Sequence, residues 1–307
     1  MIHGDDILIC GQGQLNYMRS QVISELRYSS FCGYSASIDD IQNRLCGADR
    51  ELIQHCSNAI TSLLNEGAIK FDGKALSLSA DGSTARNYLD DRRRAEERYR
   101  FASQFLNDAL ADIPDVLLAG IGGSVSYGTA REDDDVDIVI VSRDGALWNV
   151  LWRLLLDARK TRKGSPDKPL LCFSYCIEDS AFRVETATHR SRLFASDFLN
   201  MKVVKGEGYY AEILRENEWM ASYYPGYYRR ARTGSKGGPA PSAMKTRPDV
   251  TKYAVAGTYL KLSATVRNIL FRLRGMNDSD FSAIIRHDRC IYQSSKWKRL
   301  EMLDSHK

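Results

Sequence analysis

The sequence is poor in the residues that build small metal-binding or disulfide-linked modules. Its 307 residues include only five histidines, seven prolines and seven cysteines, and no two cysteines have Cys-x-x-Cys spacing. An odd and scattered set of cysteines argues against a zinc module and against a disulfide framework, and free thiols favour a reducing, cytoplasmic setting. Cys172 and Cys176 lie four residues apart in an apolar segment, and we expect both to be packing residues.

Long apolar runs are missing as well. The longest contain about five residues, far below the roughly 18 that a membrane-spanning helix needs. Residues 1–6 include two early acids and no basic segment, unlike a secretory signal. The hydrophobic content of 43% and the charged content of 27% are ordinary for a folded chain. We therefore expect a soluble protein of about two domains, with no membrane partner.

The net charge of +4 is unevenly distributed along the chain. Residues 229–307 carry 17 Lys and Arg against 6 Asp and Glu, so this part is net positive and the rest is net negative. A basic C-terminal third indicates an anionic partner, although a solvated helical surface is the alternative. Residues 223–230 place tyrosines beside arginines, a pattern typical of single-strand nucleic-acid binding, unless the tyrosines simply cap the helical tail. Further basic residues extend this surface: Arg267, Arg272, Arg274, Arg286, Arg289, Lys296, Lys298 and Arg299.

Residues 1–83 are predicted to form a winged helix-turn-helix. Apolar stripes indicate helices over residues 16–30 and 49–66, and Ser37 is a candidate N-cap for a short helix between them. Asp72-Gly73 between two alternating runs indicates a hairpin. The helix over 49–66 has Arg50 as its single basic residue, which favours a structural or partner-binding role over DNA reading.

The rest of the chain is predicted to form an α+β core and a tail. Residues 84–112 are a charged helical connector, 113–206 contain the core with a mixed sheet and flanking helices, and 207–307 form a basic helical region. Within the tail, residues 229–250 are rich in Gly and Pro and are expected to be a mobile loop. Smaller elements are predicted as follows: a short strand over 182–185, and helices over about 190–205, 208–221, 251–274 and 294–304.

Residues 117–142 carry the most informative pattern. They are predicted to form a strand, a Gly122-Gly123-Ser124 turn, a short helix, a loop, and a second strand that opens at Asp135-Val136-Asp137. Glycines let a backbone approach a phosphate closely, and the first amides of a helix point at an anion. The Ser124 hydroxyl can add a hydrogen bond to a terminal phosphate oxygen.

The two aspartates that follow this turn are candidate metal ligands. Residues i and i+2 of a strand point to the same face, so the carboxylates of Asp135 and Asp137 repel each other and favour a cation. Oxygen ligands select Mg²⁺ or Mn²⁺. A phosphate-binding turn that faces a divalent metal ion is the kind of site that promotes attack on a nucleoside triphosphate.

This pattern resembles the signature of the DNA polymerase beta-type nucleotidyltransferase superfamily. The layout also resembles a branch in which a winged helix precedes the core and the helical tail holds an Asn-x-Trp element like Asn217-Glu218-Trp219. The resemblance implies that Gly122, Gly123 and Ser124 hold the triphosphate and that Asp135 and Asp137 are catalytic metal ligands. It also implies a possible phosphate contact for Arg131, which as an exposed loop arginine has an equally good structural role.

The superfamily usually has a third carboxylate that helps deprotonate the acceptor hydroxyl. The candidates are Glu178, at the end of the apolar segment 170–177, and Glu185, with no third acid as the other alternative. The implied reaction transfers a nucleoside monophosphate from ATP or another NTP to an acceptor hydroxyl and releases pyrophosphate. An RNA 3′ end or another polyanion is favoured over a protein or a small molecule because the tail is basic. The alternative function is a nucleotide-sensing winged-helix regulator with an inactive transferase domain.

Overall fold

The computed structural model describes residues 4–32, 34–79, 88–164, 167–234, 250–273 and 281–294. The chain divides into two units: Met1–Arg92 with Trp219–Gly234, and Arg93–Glu218 with Ser235–Lys307. Within the described ranges, no helix combines the length and apolarity that a bilayer crossing requires. The helices are α1 (Gly4–Cys32), α2 (Ile38–Leu45), α3 (Arg50–Asn65), α4 (Tyr88–Leu110), α5 (Gly123–Ser126), α6 (Leu147–Gly164), α7 (Asp179–Thr188), α8 (Arg192–Asn200), α9 (Glu207–Glu216), α10 (Pro225–Gly234) and α11 (Val250–Leu273). The strands are β1 (Ile69–Phe71), β2 (Leu76–Leu78), β3 (Val116–Ile121), β4 (Val136–Ser142), β5 (Leu171–Glu178), β6 (Lys202–Lys205), β7 (Phe281–Arg286) and β8 (Arg289–Ser294).

The first unit contains the helices and the hairpin that the N-terminal sequence predicts. Ser37 forms a capping box with Asp40 at the start of α2, and the Asp49 side chain caps α3. The Asp72 carboxylate accepts hydrogen bonds from the amides of Lys74 and Ala75 in the turn between the antiparallel strands β1 and β2. That these elements make a winged helix stays a prediction.

Helix α10 also belongs to this first unit, although its residues 229–234 were predicted to lie in a loop. Its residue Gly226 packs so closely on the end of α2 that an added Cβ would lie 2.2 Å from the Cys46 carbonyl carbon. The Tyr224 hydroxyl, just before α10, donates to the Glu25 carboxylate, which also pairs with Arg44 at 2.8 Å. Because Glu25 and Arg44 are both buried, each depends on the other for charge neutralisation.

The second unit is built on a six-stranded mixed sheet with the order β6-β3-β4-β5-β8-β7. All neighbouring strands are antiparallel except β4 and β5, which are parallel and joined through α6. Apolar side chains of α4, α6 and α11 pack with the central strands in one core. Trp148 of α6 helps to fix the β7–β8 turn, because its indole N–H donates to the His287 carbonyl at 2.8 Å.

Three short predictions are wrong in type. Residues 182–185 lie in α7 and not in a strand, because buried Phe182 and Thr186 are one helical turn apart. The helix predicted over 190–205 ends at Asn200, and residues 202–205 form β6, whose Val203 and Val204 favour a strand. Part of the expected loop over 229–250 is helical, because α10 continues to Gly234.

The interpretation of residues 207–307 as a helical region is wrong for residues 281–294. These form β7 and β8, which extend the core sheet beyond β5. Their alternating apolar residues on either side of a two-residue turn, His287-Asp288, are a hairpin pattern. The helix predicted over 294–304 and the basic residues Arg274, Lys296, Lys298 and Arg299 lie outside the described residues, apart from Ser294 at the end of β8.

Candidate functional site

The glycine turn and the aspartate pair lie together at one end of the β3–β4 pair. In the antiparallel register, Ile121 is opposite Ile138, so the chain enters the turn beside Asp137. The Gly122 amide donates to the Asp137 carbonyl at 2.9 Å and continues the ladder by one more hydrogen bond. The Gly122 amide is therefore already engaged, and phosphate binding by the Gly122 backbone stays a prediction.

Gly123 lies directly against the Asp137 carboxylate. Its φ is +58°, a left-handed conformation that side chains disfavour, and an added Cβ would lie 2.0 Å from Asp137 Oδ2. No larger residue fits between the turn and the carboxylate. The glycine thus allows the two halves of the predicted site to touch.

Ser124 occupies the first turn of the four-residue helix α5 and is partly exposed. Its carbonyl accepts the Thr129 amide at 3.1 Å, which closes the segment after the helix. The first amides of a helix have no intrahelical acceptor. Around α5, as far as the chain is described, no acceptor contacts the Ser124 hydroxyl. This hydroxyl and the amides of Gly123 and Ser124 are therefore placed to bind an anion.

The electrostatics of the aspartate pair favour a cation. Burial, and after it the charge of Asp135, raises the pKa of Asp137 to about 7, although a hydrogen bond from Ser174 opposes the shift. Two neighbouring carboxylates repel each other when both are ionised. A hard divalent ion bound to their oxygens neutralises that repulsion. The pair therefore fits Mg²⁺ or Mn²⁺. In the described part of the chain, no group of three or more His, Cys, Asp or Glu has metal-binding geometry.

The prediction that Glu178 supplies the third carboxylate is wrong. In the parallel register of β4 and β5, Asp137 is opposite Cys172, whereas Glu178 is opposite Ser142. Five residues along a strand separate the two positions by about 16 Å. Burial raises the pKa of Glu178, while the amides of Gly145 and Leu147 donate to its carboxylate and lower it. Glu178 therefore binds the backbone at the start of α6.

Glu185, the other candidate, is engaged in ion pairs on α7. Its carboxylate lies 3.0 Å from Arg289 and 3.5 Å from His189, and these contacts hold its pKa below the usual range. Arg289 is opposite Ile177, next to Glu178 on β5. Glu185 is therefore also at the end of the sheet away from Asp137.

Two residues that the sequence analysis missed lie near Asp137. Ser174, on β5, hydrogen-bonds to its carboxylate, and the charge of Asp197, on α8, raises the pKa of Asp137. The Tyr127 hydroxyl donates to Asp197 Oδ1 at 2.9 Å and also lies 2.7 Å from the Ser196 hydroxyl. Asp197 lies within a helical sequence pattern that does not mark it as a functional residue. Only the packing of α8 shows that Asp197 is near Asp137.

Arg131 lies in the loop that leads to Asp135, and it is exposed. Its amide donates to the Asp134 carboxylate at 2.9 Å, and its carbonyl accepts from the Arg98 guanidinium. Arg98 also donates to the Glu132 carbonyl at 2.6 Å. Helix α4 thereby fixes the loop before the aspartates, and a phosphate contact of the Arg131 side chain stays a prediction.

Three of the four tyrosines in the predicted polyanion surface are not available for stacking. Tyr224, Tyr227 and Tyr228 are buried and cannot stack on bases. Arg229 is paired with Asp49 at 3.0 Å. The three buried tyrosines are spaced i, i+3 and i+4. This spacing is typical of the buried side of a helix and could have been recognised in the sequence.

Comparison with family models identifies this region. Residues 103–228 match a family model described as a nucleotidyltransferase domain, and the matched range includes Ser124, Asp135 and Asp137. Comparisons with curated proteins and with solved structures gave no match. Residues 103–228 therefore form a nucleotidyltransferase domain of the DNA polymerase beta-like type, and the chain is a transferase of phosphorus-containing groups.

Proposed function

We propose that the chain transfers a nucleoside monophosphate from an NTP to an acceptor hydroxyl and releases pyrophosphate. The observation that carries this proposal is the contact of the Gly123 turn with the Asp137 carboxylate. This contact supports the proposal because it brings the proposed anion-binding turn next to one of the two proposed metal ligands. Both are needed if a triphosphate is to bind next to a cation.

The proposed roles follow from the chemistry of each group. Ser124 Oγ and the amides of Gly123 and Ser124 bind the terminal phosphates, and Asp135 and Asp137 hold a divalent ion. Such an ion, when bound, neutralises charge on the phosphates and acidifies a bound hydroxyl. The acceptor oxygen forms a bond to the α-phosphorus as the bond to the pyrophosphate oxygen breaks. The hydroxyl proton passes to a carboxylate, and we assign this role to Asp197, whose charge acts on Asp137.

The acceptor class is the least supported part of the proposal. The basic C-terminal third favours an RNA 3′ end or another polyanion. The burial of the tyrosines and the pairing of Arg229 with Asp49 and of Arg289 with Glu185 and Asp288 weaken that argument. RNA, protein and small molecules are therefore separate arms of the test.

The test incubates the full chain with each α-³²P-labelled NTP, Mg²⁺ or Mn²⁺, and RNA, protein or small-molecule fractions of a lysate. We expect label in one fraction with the wild type, and a loss of at least about 100-fold with Asp135→Asn or Asp137→Asn. Asp133→Asn is the matched control, because Asp133 is an exposed acid of the same loop. Equal labelling by the Asp137→Asn and Asp133→Asn variants would falsify the assigned roles.

A second candidate function is nucleotide binding without transfer. It is favoured because the β5 side chain that hydrogen-bonds to Asp137 is the neutral Ser174, while Glu178 lies opposite Ser142, away from Asp137. Binding of an NTP with no labelled product in any fraction would support this function. Asp197→Asn separates the two further: as the proton acceptor its loss slows transfer but leaves NTP binding intact, and in a binding module it changes neither.

We also propose that α2, α3 and the β1–β2 hairpin are a winged helix that binds a partner protein or stabilises the chain. The N-cap residue of α3, Asp49, accepts hydrogen bonds from Arg229 of the same chain. The helix itself carries Arg50 and no other Lys or Arg. Weak or salt-independent binding to duplex DNA in a fluorescence anisotropy titration is the expected result, and a steep salt dependence would oppose it.

A further inference from the structure

Helix α11 exposes an apolar stripe along most of its length. Its members are separated by four, three, four, three and four residues, and each exposes about half of its surface or more. They are Val255 (52%), Tyr259 (58%), Leu262 (63%), Val266 (48%), Ile269 (51%) and Leu273 (78%). This alternation is the a/d spacing of a heptad repeat, and it extends for about 27 Å along the helix.

The stripe is on the side of the helix opposite to the core. Ala256, Leu260 and Ala264 are buried, and they lie on the side that packs against α6 and β7. The Tyr253 ring lies 5.1 Å from the Trp148 ring, centroid to centroid, and Lys252 donates to the Asn149 side chain at 2.6 Å. Core contacts thus hold α11 by its other side, and among the described residues the apolar stripe takes no part in that packing.

The size of the stripe is close to that of an interface. At roughly 100 Å² for each side chain it presents about 600 Å², the upper end of the range for the largest apolar patch of a monomer. A standard interface buries about 800 Å² on each partner, which the stripe and its flanking residues together approach.

The flanks of the stripe suit a second copy of the same helix. Beside the first turns of the seam lie Thr258, Ser263 and Thr265, which are small and uncharged, whereas Arg272 lies beside its last turn. Over most of the seam, two identical stripes can therefore approach without like charges meeting.

The stretches of this chain outside the described residues are shorter than the stripe. The longest, 235–249, also contains three prolines, which a helical partner does not tolerate. Residues 295–307 are the alternative occupant, and with them on the stripe the wild type would stay monomeric. We propose that α11 pairs with α11 of a second copy and makes the chain a two-fold symmetric dimer. The stripes of the two helices interlock side chain by side chain.

The test measures the mass of the full chain by sedimentation equilibrium from about 1 to 100 µM, the range expected for an interface of this size. The wild type reaches twice the monomer mass, whereas Leu262→Glu/Ile269→Glu stays monomeric because it places glutamates in the seam. Ala254→Glu/Lys261→Glu is the matched control, since both residues are exposed on α11 outside the stripe, and it still dimerises. Circular dichroism checks that both variants are folded.

A milder pair keeps the test decisive if the glutamates disturb the fold. Leu262→Ala/Ile269→Ala removes contact area without adding charge. It raises the dimer Kd at least about 10-fold, which is the loss expected when two central interface residues are truncated. A wild type that is monomeric at 100 µM would overturn the proposal, as would a dimer that neither stripe variant weakens. Co-sedimentation of a monomeric wild type with anionic lipid vesicles would overturn it too, and would assign the stripe to a membrane surface.

Discussion

Replacing Gly123 by alanine gives the sharpest test of the site geometry. The added methyl group would lie 2.0 Å from Asp137 Oδ2 and 2.9 Å from its Cγ, far inside contact distance. The backbone there has a φ of +58°, which costs a residue with a Cβ about 1–2 kcal/mol. The turn and the Asp137 carboxylate cannot both keep their positions.

Gly122 supplies a matched control one residue away. Its φ is −108°, which any residue adopts, and an added Cβ would meet only Val139 Cγ2 at 3.6 Å. Its amide bond to the Asp137 carbonyl is unaffected by the substitution. We therefore expect Gly122→Ala to melt within about 2 °C of the wild type and to keep most of its transfer activity.

The two variants are compared by thermal unfolding and by the transfer of label from an α-³²P-labelled NTP. Gly123→Ala lowers the Tm by about 2–8 °C, from the backbone cost alone, and lowers transfer by at least about 100-fold because the carboxylate is displaced. If Gly123→Ala matched Gly122→Ala in both measurements, the contact between turn and carboxylate would have no role in the site.

Three further predictions concern the surroundings of the site and the first unit. Arg98→Ala frees the loop before Asp135 and lowers kcat/KM by about 10–100-fold, whereas Arg100→Ala, which only removes an exposed pair with Glu96, leaves it unchanged. Glu25→Gln leaves the buried Arg44 without its counter-charge and destabilises the first unit by about 3–5 kcal/mol in chemical denaturation, while Glu66→Gln on the surface has no measurable effect. Trp148→Phe removes the bond to the His287 carbonyl and speeds amide hydrogen exchange in residues 281–294, and unchanged exchange there would contradict that contact.

The local parts of the fold could be predicted because short patterns determine them. Ser37 caps a helix as expected, and Asp72-Gly73 forms the predicted turn. The strand, turn and strand over residues 117–142 are confirmed as β3, the Gly122–Ser124 turn and β4. In each case the residue acts on neighbours within a few positions of the chain, so the sequence window contains the cause.

The third carboxylate could not be predicted because it depends on strand pairing. The sequence places Glu178 at the end of β5, but only the parallel register shows that the start of β5 lies beside Asp137. Asp197 reaches the site through α8, seventy positions after Tyr127 to which it bonds. Both facts are properties of tertiary packing, and a single sequence carries no signal for either.

The position of Asp137 leads to a final prediction about binding. A triphosphate held by Ser124 would place further negative charge beside Asp135 and Asp137, whose mutual repulsion already contributes to the raised pKa of Asp137. Two unit charges about 4 Å apart repel by about 4 kcal/mol at an effective dielectric constant of about 20, or several hundredfold in affinity. NTP binding measured by calorimetry should therefore be strong with Mg²⁺ and weakened at least about 100-fold by EDTA. Asp135→Asn/Asp137→Asn should remove most of that dependence, because the charge that the ion neutralises is gone. Equal affinity of the wild type with and without EDTA would show that the aspartates do not share a site with the triphosphate.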